Sequence, residues 1–166
     1  MEKSVLNAGG DPMGAAIYDF HRNGSADVLK VYSSDFDDDE IPVADLFREY
    51  EEMPYIERVA IDMADGKVLD VGAGSGCHSL ALTKAGKESV AIDISPLSVE
   101  VMRERGVDAR LVNLYDESFA EKFDTVLMLM NGTGIIGTLE NMDTFFTRIR
   151  QLLNPDGCVL IDSSDL

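Results

Sequence analysis

The sequence predicts an α/β fold, a doubly wound and mostly parallel sheet of about five strands with helices packed on it. Three observations carry this prediction. From Gly66 onward, short apolar segments alternate with amphipathic ones, the pattern of successive strand–helix–strand units. Residues 123–130 are dominated by an apolar run of the kind shown by parallel strands buried on both faces. A turn with glycines on alternate positions, Gly72-Ala73-Gly74-Ser75-Gly76, joins the first apolar segment to the first amphipathic one.

Residues 1 to about 65 are different in character. They are acidic, show no strong strand pattern, and are punctuated by Gly9-Gly10, Pro12, Pro42 and Pro54. Helices are expected over about 13–21, 42–50 and 54–64. In the second, Val43, Leu46, Phe47 and Tyr50 fall on one face; in the third, Ile56, Val59, Ala60 and Met63 supply the apolar positions. The acidic run Asp35-Phe36-Asp37-Asp38-Asp39-Glu40 reads as a solvated loop. A calcium loop would need a Gly and a closing Glu at a spacing this run lacks. Residues 1–65 are thus expected to form a helical lid over a second unit, 66–166.

In that second unit, strands are expected at 67–71, 89–94, 108–113, 123–130 and 158–162. The intervening helices are 76–85, 96–105 and 140–153. Ser95 is placed to cap the second of these, with Pro96 at its first position. The third presents Met142, Phe145, Phe146, Ile149, Leu152 and Leu153 along one face. Asn154-Pro155-Asp156-Gly157 reads as a turn. Sheets of this kind bind ligands beyond the carboxyl ends of their strands, near the point where strand order reverses.

Composition excludes several classes. The chain has 166 residues, the size of one ordinary domain, and 45% are hydrophobic. No apolar run approaches the roughly 18 residues that span a membrane. Met1-Glu2-Lys3-Ser4 lacks the basic-then-apolar pattern of a secretory signal, so a cytoplasmic location is expected. A formal net charge of -17 repels phosphate backbones, so nucleic acid is not an expected partner. Cys77 and Cys158 have no metal-ligand spacing and are expected to be buried apolar residues. His21 and His78 are too few and too scattered for a metal centre.

The chemistry concentrates in Val68-Leu69-Asp70-Val71-Gly72-Ala73-Gly74-Ser75-Gly76-Cys77-His78. Glycine is required where the chain turns with positive φ or where a ligand approaches the backbone. The helix that follows presents free N–H groups and a positive dipole end. Asp70 adds an acceptor at the strand tip. A dinucleotide fold would show G-x-G-x-x-G instead of this D-x-G-x-G-x-G spacing. For Gly76, close helix packing is the competing, less favoured role. Asp93 ends the second strand beside this loop, where a carboxylate accepts hydrogen bonds from both hydroxyls of a ribose. The competing role, capping the next helix, falls more naturally to Ser95. Ile94 is placed to lie against a flat ring.

The glycine loop, the Ala91-Ile92-Asp93-Ile94-Ser95 strand end and the Leu152-Leu153-Asn154-Pro155-Asp156-Gly157 turn together resemble class I (Rossmann-like) S-adenosylmethionine (SAM)-dependent methyltransferases. The resemblance covers residue 54 onward. It implies SAM as cofactor. Gly72, Ala73 and Gly74 would line its methionine end, Asp70 would support its ammonium group, and Asp93 would take the ribose. Adenine would be bounded by Ile94 and by Asn113-Leu114, with Asp116 as the alternative acidic partner for its amine. In the family, the loop after the fourth strand faces the transferring methyl group. Here that places Met130 in the cofactor set and makes Asn131 the candidate catalytic residue, unless Asn131 only shapes a glycine-rich turn. An Asn/Asp-Pro-Pro-aromatic signature is absent, which disfavours adenine-N6 and glutamine-amide acceptors and points to a small molecule. His78 reads as a helix-surface or packing residue in preference to a general base. Arg48, Tyr50 and Tyr18 read as packing or surface residues in preference to lid residues folded over the cofactor.

The family's sheet has seven strands, the last two forming a hairpin beside the fifth. This sequence stops at Ser163-Ser164-Asp165-Leu166, leaving no residues for that hairpin. The expectation is a truncated chain, or one whose fifth strand pairs with another copy along an apolar edge. A non-catalytic SAM-binding module and a nicotinamide-dependent oxidoreductase are the alternative readings.

Overall fold

The computed structural model describes residues 4–32 and 37–163. Helix α1 (Pro12–Asn23) begins where the Asp11 carboxylate accepts the Gly14 N–H at 2.8 Å, and it closes on Gly24 at φ 71. Strands β1 (Leu29–Val31) and β2 (Asp39–Ile41) then pair antiparallel. This ribbon is absent from the sequence expectation, because strands this short show too little alternation to be read. Asp39 and Glu40 of the acidic run belong to β2 and not to a loop; Asp35 and Phe36 lie outside the described residues.

The helix expected over 42–50 is instead a pair of 3₁₀ turns, Val43–Phe47 and Tyr50–Glu52. Arg48 is extended between them, and Glu49 and Glu52 form a reciprocal capping box that starts the second turn afresh. Val43 and Leu46 are buried as their spacing required. Helix α2 (Tyr55–Met63) forms, but rotated from the expected face. Ile56 and Met63 are 56% and 62% exposed, while Glu57, Ala60 and Ile61 point inward. The ion pairs of Glu57, described below, set that rotation.

The sheet follows in β–α order, with β3 (Lys67–Val71), α3 (Cys77–Lys84), β4 (Glu88–Asp93), α4 (Pro96–Glu104), β5 (Ala109–Leu111), β6 (Phe123–Met128), α5 (Met142–Leu152) and β7 (Leu153–Ile161). Its spatial order is β5-β4-β3-β6-β7, all pairs parallel. The chain winds outward from β3 to β5 and then returns to the other side of β3 for β6. The strand order therefore reverses at β3, and the crevice lies beyond its carboxyl end. Ser95 caps α4, accepting the Ser98 N–H at 2.9 Å. Residues 154–157 loop out of β7 between Leu153, opposite Phe123, and Cys158, opposite Thr125. The expected turn is thus an excursion within the edge strand, with Asp156 at φ 66. Cys77 is buried, but Cys158 on this edge is exposed, against expectation.

The core has a layer on each face of the sheet. Leu69, Val71, Val126 and Met128 pack against Phe145, Ile149 and Leu152 of α5. Val68 and Leu127, on the opposite face, pack against Ile61, Ala81 and Leu82 of α2 and α3. Each fully buried side chain of this size is worth about 1.5–3 kcal/mol. Phe146, expected on the inner face of α5, is 40% exposed, because it lies one residue beyond the stripe set by Phe145 and Ile149. No helix among the described residues is long and apolar enough to cross a membrane.

Buried Arg148 of α5 ties down the segment after β5. Its guanidinium donates to the carbonyls of Leu114 at 2.6 Å, Asp116 at 2.8 Å and Phe119 at 2.5 Å. Arg148→Met keeps the apolar stem and strands these carbonyls. We expect it to lower unfolding free energy by about 2–4 kcal/mol, read from urea denaturation at neutral pH. An unchanged midpoint would show that water replaces the guanidinium without cost.

Candidate functional site

A cavity of about 670 Å³ opens at the carboxyl ends of β3, β4 and β6, within the roughly 300–1,000 Å³ typical of small-ligand sites. Every residue singled out from the sequence as cofactor-binding, from Asp70, Gly72, Ala73 and Gly74 through Asp93, Ile94, Asn113 and Leu114 to Met130, lines it, and so does Asn131.

The floor is the loop between β3 and α3. Gly72, Gly74 and Gly76 have φ of 69°, 56° and 81°, the left-handed region that glycine enters freely. The loop is held on the neighbouring strand: Gly72 and Ala73 donate to Ile92 O at 2.9 and 3.3 Å. Gly74 N–H donates to Asp93 Oδ2 at 2.9 Å, and Ser95 N–H donates to Asp93 Oδ1 at 2.9 Å. Asp93 therefore braces the glycine loop and the turn into α4 while facing the cavity. A Cβ on Gly74 would meet only Ile17 Cδ1, at 3.8 Å, so the loop presents bare backbone to the space above it. At Gly76 the demand is packing, since a Cβ would stand 3.0 Å from Met102 Cγ and 3.1 Å from Val107 Cγ2.

Burial pushes the Asp93 carboxyl up; the Ser95 and Gly74 N–H groups oppose that rise and the nearby Asp11 charge adds to it. Asp70 is pushed up by its own burial, opposed by the charge of His78 and by Ser79, whose hydroxyl donates to Asp70 Oδ2 at 2.7 Å. Asn113 holds its own turn, accepting Tyr115 N–H at 3.0 Å and donating to Ser4 O at 3.0 Å. Asp116 does not reach the cavity. Its carboxylate accepts the N–H and hydroxyl of Ser118 at 2.9 and 2.7 Å. Of these two residues, Asn113 lines the cavity and Asp116 does not.

His78 lies on the cavity wall and is buried, not on a helix surface. Its Nε2 is 2.9 Å from Glu57 Oε2, and Glu57 Oε1 accepts Arg48 Nη2 at 2.8 Å. Burial alone would lower the imidazole, but contacts with Cys77 and Glu57 outweigh it and raise the pKa to about 10. The raised imidazole favours its protonated form beside Glu57, which suits an ion pair better than the role of a base. Sequence reading missed this chain of charges, because Arg48, Glu57 and His78 come from separate elements.

Arg48, Tyr50 and Tyr18 take the packing and surface roles favoured for them from the sequence, not the lid role that was the alternative. Arg48 is spent on Glu57, the Tyr50 hydroxyl donates to Asp62 at 2.8 Å, and Tyr18 lies under Arg22 at 4.9 Å. None of these lines the cavity. The cap consists instead of Leu6, Asp11, Met13, Ile17, Ile41 and Leu46. Asp11 is the residue a closer reading could have found, as the helix cap directly before Pro12. Among the described residues, no group of three or more His, Cys, Asp or Glu side chains stands together as a metal would require.

Residues 68–157 match a family described as a methyltransferase domain. The chain belongs to the class I methyltransferase family. A SAM-dependent methyltransferase from Bacteroides fragilis, solved with S-adenosyl-L-homocysteine (SAH), is 66% identical with a TM-score of 0.94; the alignment covers 99% of this chain and 69% of that one. Cypemycin N-terminal methyltransferase from a Streptomyces species is 33% identical over 61% of this chain and 43% of its own. The ubiquinone biosynthesis O-methyltransferase of Azorhizobium caulinodans is 25% identical over 58% of this chain and 40% of its own. Each match thus spans less than half of these two curated relatives.

The His78 charge gives this methyltransferase chain a pH signature. The folded-state pKa of about 10 lies above the ordinary value of 6.5. The ion pair's contribution is therefore complete below pH 6.5 and is lost as pH rises toward about 10. We expect the stability difference between wild type and His78→Gln to be largest below pH 6.5 and to shrink steadily above it, measured by urea denaturation at pH 6, 8 and 10. A pH-independent difference would mean that the imidazole is neutral in the folded chain.

Proposed function

We propose that this chain binds SAM in the β3–β4–β6 cavity and serves methyl transfer from it to a small-molecule acceptor. The observation that carries the reading is the Asp93 carboxylate, presented to a cavity whose floor is bare glycine backbone. The Asp93 carboxylate accepts backbone N–H groups of Gly74, Ser95 and Ile94, fewer than the roughly four acceptor sites of its two oxygens, and so retains capacity for a ribose hydroxyl.

The remaining residues fit the same group. The flat base would lie between Ile94 and Leu114, with Asn113 at its edge. The amino-acid end would meet Asp70 and the cationic His78, opposite charges suited to an ammonium and a carboxylate. When bound, the cofactor supplies an electrophilic methyl group on a sulfonium. The chain's own part is to bind, align and exclude water, the main demands of such a displacement. Leu6, Met13, Ile17 and Leu46 give the cavity an apolar border suited to excluding water once a ligand is bound. Asn131 stands on the opposite wall, where it would orient an acceptor. We assign residues 1–65 the role of cap and 66–166 that of cofactor-binding unit.

A small acceptor, and not a nucleic acid, suits a chain of net charge -17 with a cavity of this size. It also agrees with the relative named for ubiquinone biosynthesis. The glycine spacing argues against a nicotinamide cofactor.

The test is calorimetric titration with SAH and, separately, with NAD. We expect saturable SAH binding and none for NAD. Asp93→Ala should weaken SAH by about tenfold or more, the loss of hydrogen bonds to a charged acceptor. Equal binding by wild type and variant would refute the ribose role. NAD binding in place of SAH would overturn the cofactor.

A further inference from the structure

Asp162 follows β7 directly and spends its carboxylate on the backbone leaving β6. Its Oδ2 accepts Met130 N–H at 3.0 Å, while Oδ1 accepts Asn131 N–H at 2.8 Å and Gly132 N–H at 3.1 Å. Its own N–H donates to Met128 O at 3.2 Å, which fixes the carboxylate relative to the strand it serves. The backbone that receives these bonds is one that side-chain-bearing residues avoid. Met130 and Asn131 have φ of 59° and 68°, consecutive left-handed residues that are not glycine. Such conformations persist only where the surroundings impose them, and they gather at functional sites.

What that backbone holds is a wall of the cavity. The 3₁₀ turn Gly132–Ile136 starts from it and carries Ile135 over the glycine loop. A Cβ on Gly72 would stand 3.0 Å from Ile135 Cδ1. Met130, Asn131, Gly132, Ile135 and Ile136 all line the cavity, and Asp162 does not. A carboxylate, acceptor-only with two oxygens, takes all three N–H groups together.

We propose that Asp162 is a positioning residue. It clamps Met130–Gly132 in the left-handed conformation and thereby sets the cavity wall that faces the glycine loop. The proposal rests on the SAM-binding reading above. Asp162 touches no ligand; it acts through the backbone of residues that do.

The test uses the full-length protein, with SAH as the probe in calorimetry and amide hydrogen exchange as a second readout. Asp162→Ala should raise the SAH dissociation constant about tenfold. Its faster exchange should be confined to 129–137, with protection of β3, β4 and β6 unchanged. Asp162→Asn keeps one oxygen for the Asn131 and Gly132 N–H groups and should retain most of the affinity. A merely structural role would loosen exchange across the sheet and give the two variants the same affinity, and either result overturns the proposal. Wild-type affinity in Asp162→Ala overturns it as well, while leaving the SAM reading intact. Failure of the wild-type protein to bind SAH sinks that reading first, and this proposal with it.

Discussion

The site depends on one interaction, the anchoring of the glycine loop on β4. Gly72 and Ala73 hang from Ile92 O, and Gly74 from the Asp93 carboxylate. These bonds exist because β3 and β4 are parallel neighbours with Val71 opposite Ile92, so both strands end at the same level. A loop with three left-handed residues would cost about 1–2 kcal/mol at each if they carried side chains. Glycine removes that cost and leaves backbone where side chains would otherwise fill the cavity. The same residue, Asp93, both holds the loop and faces the space the loop leaves open. Loop geometry and acceptor position are therefore a single feature of the structure.

Charge is organised around that feature. Asp11, Asp70 and Asp93 all border the cavity, in a chain already strongly acidic. Each is supported by short hydrogen bonds: Asp11 from Gly14 and Ser95, Asp70 from Ser79, Asp93 from Gly74 and Ser95. A buried carboxylate with such partners is affordable but not fully compensated. Burial raises both Asp70 and Asp93, so hydroxyl or ammonium donors brought to them would favour their charged forms. The cationic His78 stands against this anionic set, and its own charge is balanced away from the cavity by Glu57 and then Arg48. The His78 end of the cavity therefore carries groups that favour opposite charges, while the Asp93 end carries a carboxylate braced by backbone N–H groups.

Much of this was legible in the sequence, for a physical reason. Strand-to-helix turns are local, and their glycines, terminal carboxylates and caps sit within a few residues of one another. The order from β3 to β7, the Ser95 cap and the residues that surround the cavity followed from that. What could not be read depends on distant partners. The rotation of α2 follows from Glu57 finding His78, 21 residues away. The left-handed turn at Met130–Asn131 depends on Asp162, which is brought near by β6–β7 pairing. Three-residue strands such as β1 and β2 are too short for any period to register. In the N-terminal region, the polar groups of Tyr18 and Arg48 find ring contacts and ion pairs outside the cavity, as the packing reading expected, and mainly aliphatic side chains border the cavity from that side.

The attachment of that cap explains why floor and roof cannot be treated as independent parts. Leu6 N–H donates to Ile94 O at 2.9 Å, Asp11 Oδ2 accepts the Ser95 hydroxyl at 2.5 Å, and Asn113 donates to Ser4 O at 3.0 Å. Ile94, Ser95 and Asn113 all line the cavity too. Gly14 lets α1 come this close, since a Cβ there would collide with both Asp11 and Ser95. The residues that receive the cap are thus among the residues that line the cavity. Any shift of Ile94 or Asn113 that accommodates a ligand alters the groups on which the cap is hung. Cap docking and ligand binding therefore act on the same few groups, and a change in either free energy is carried to the other through them.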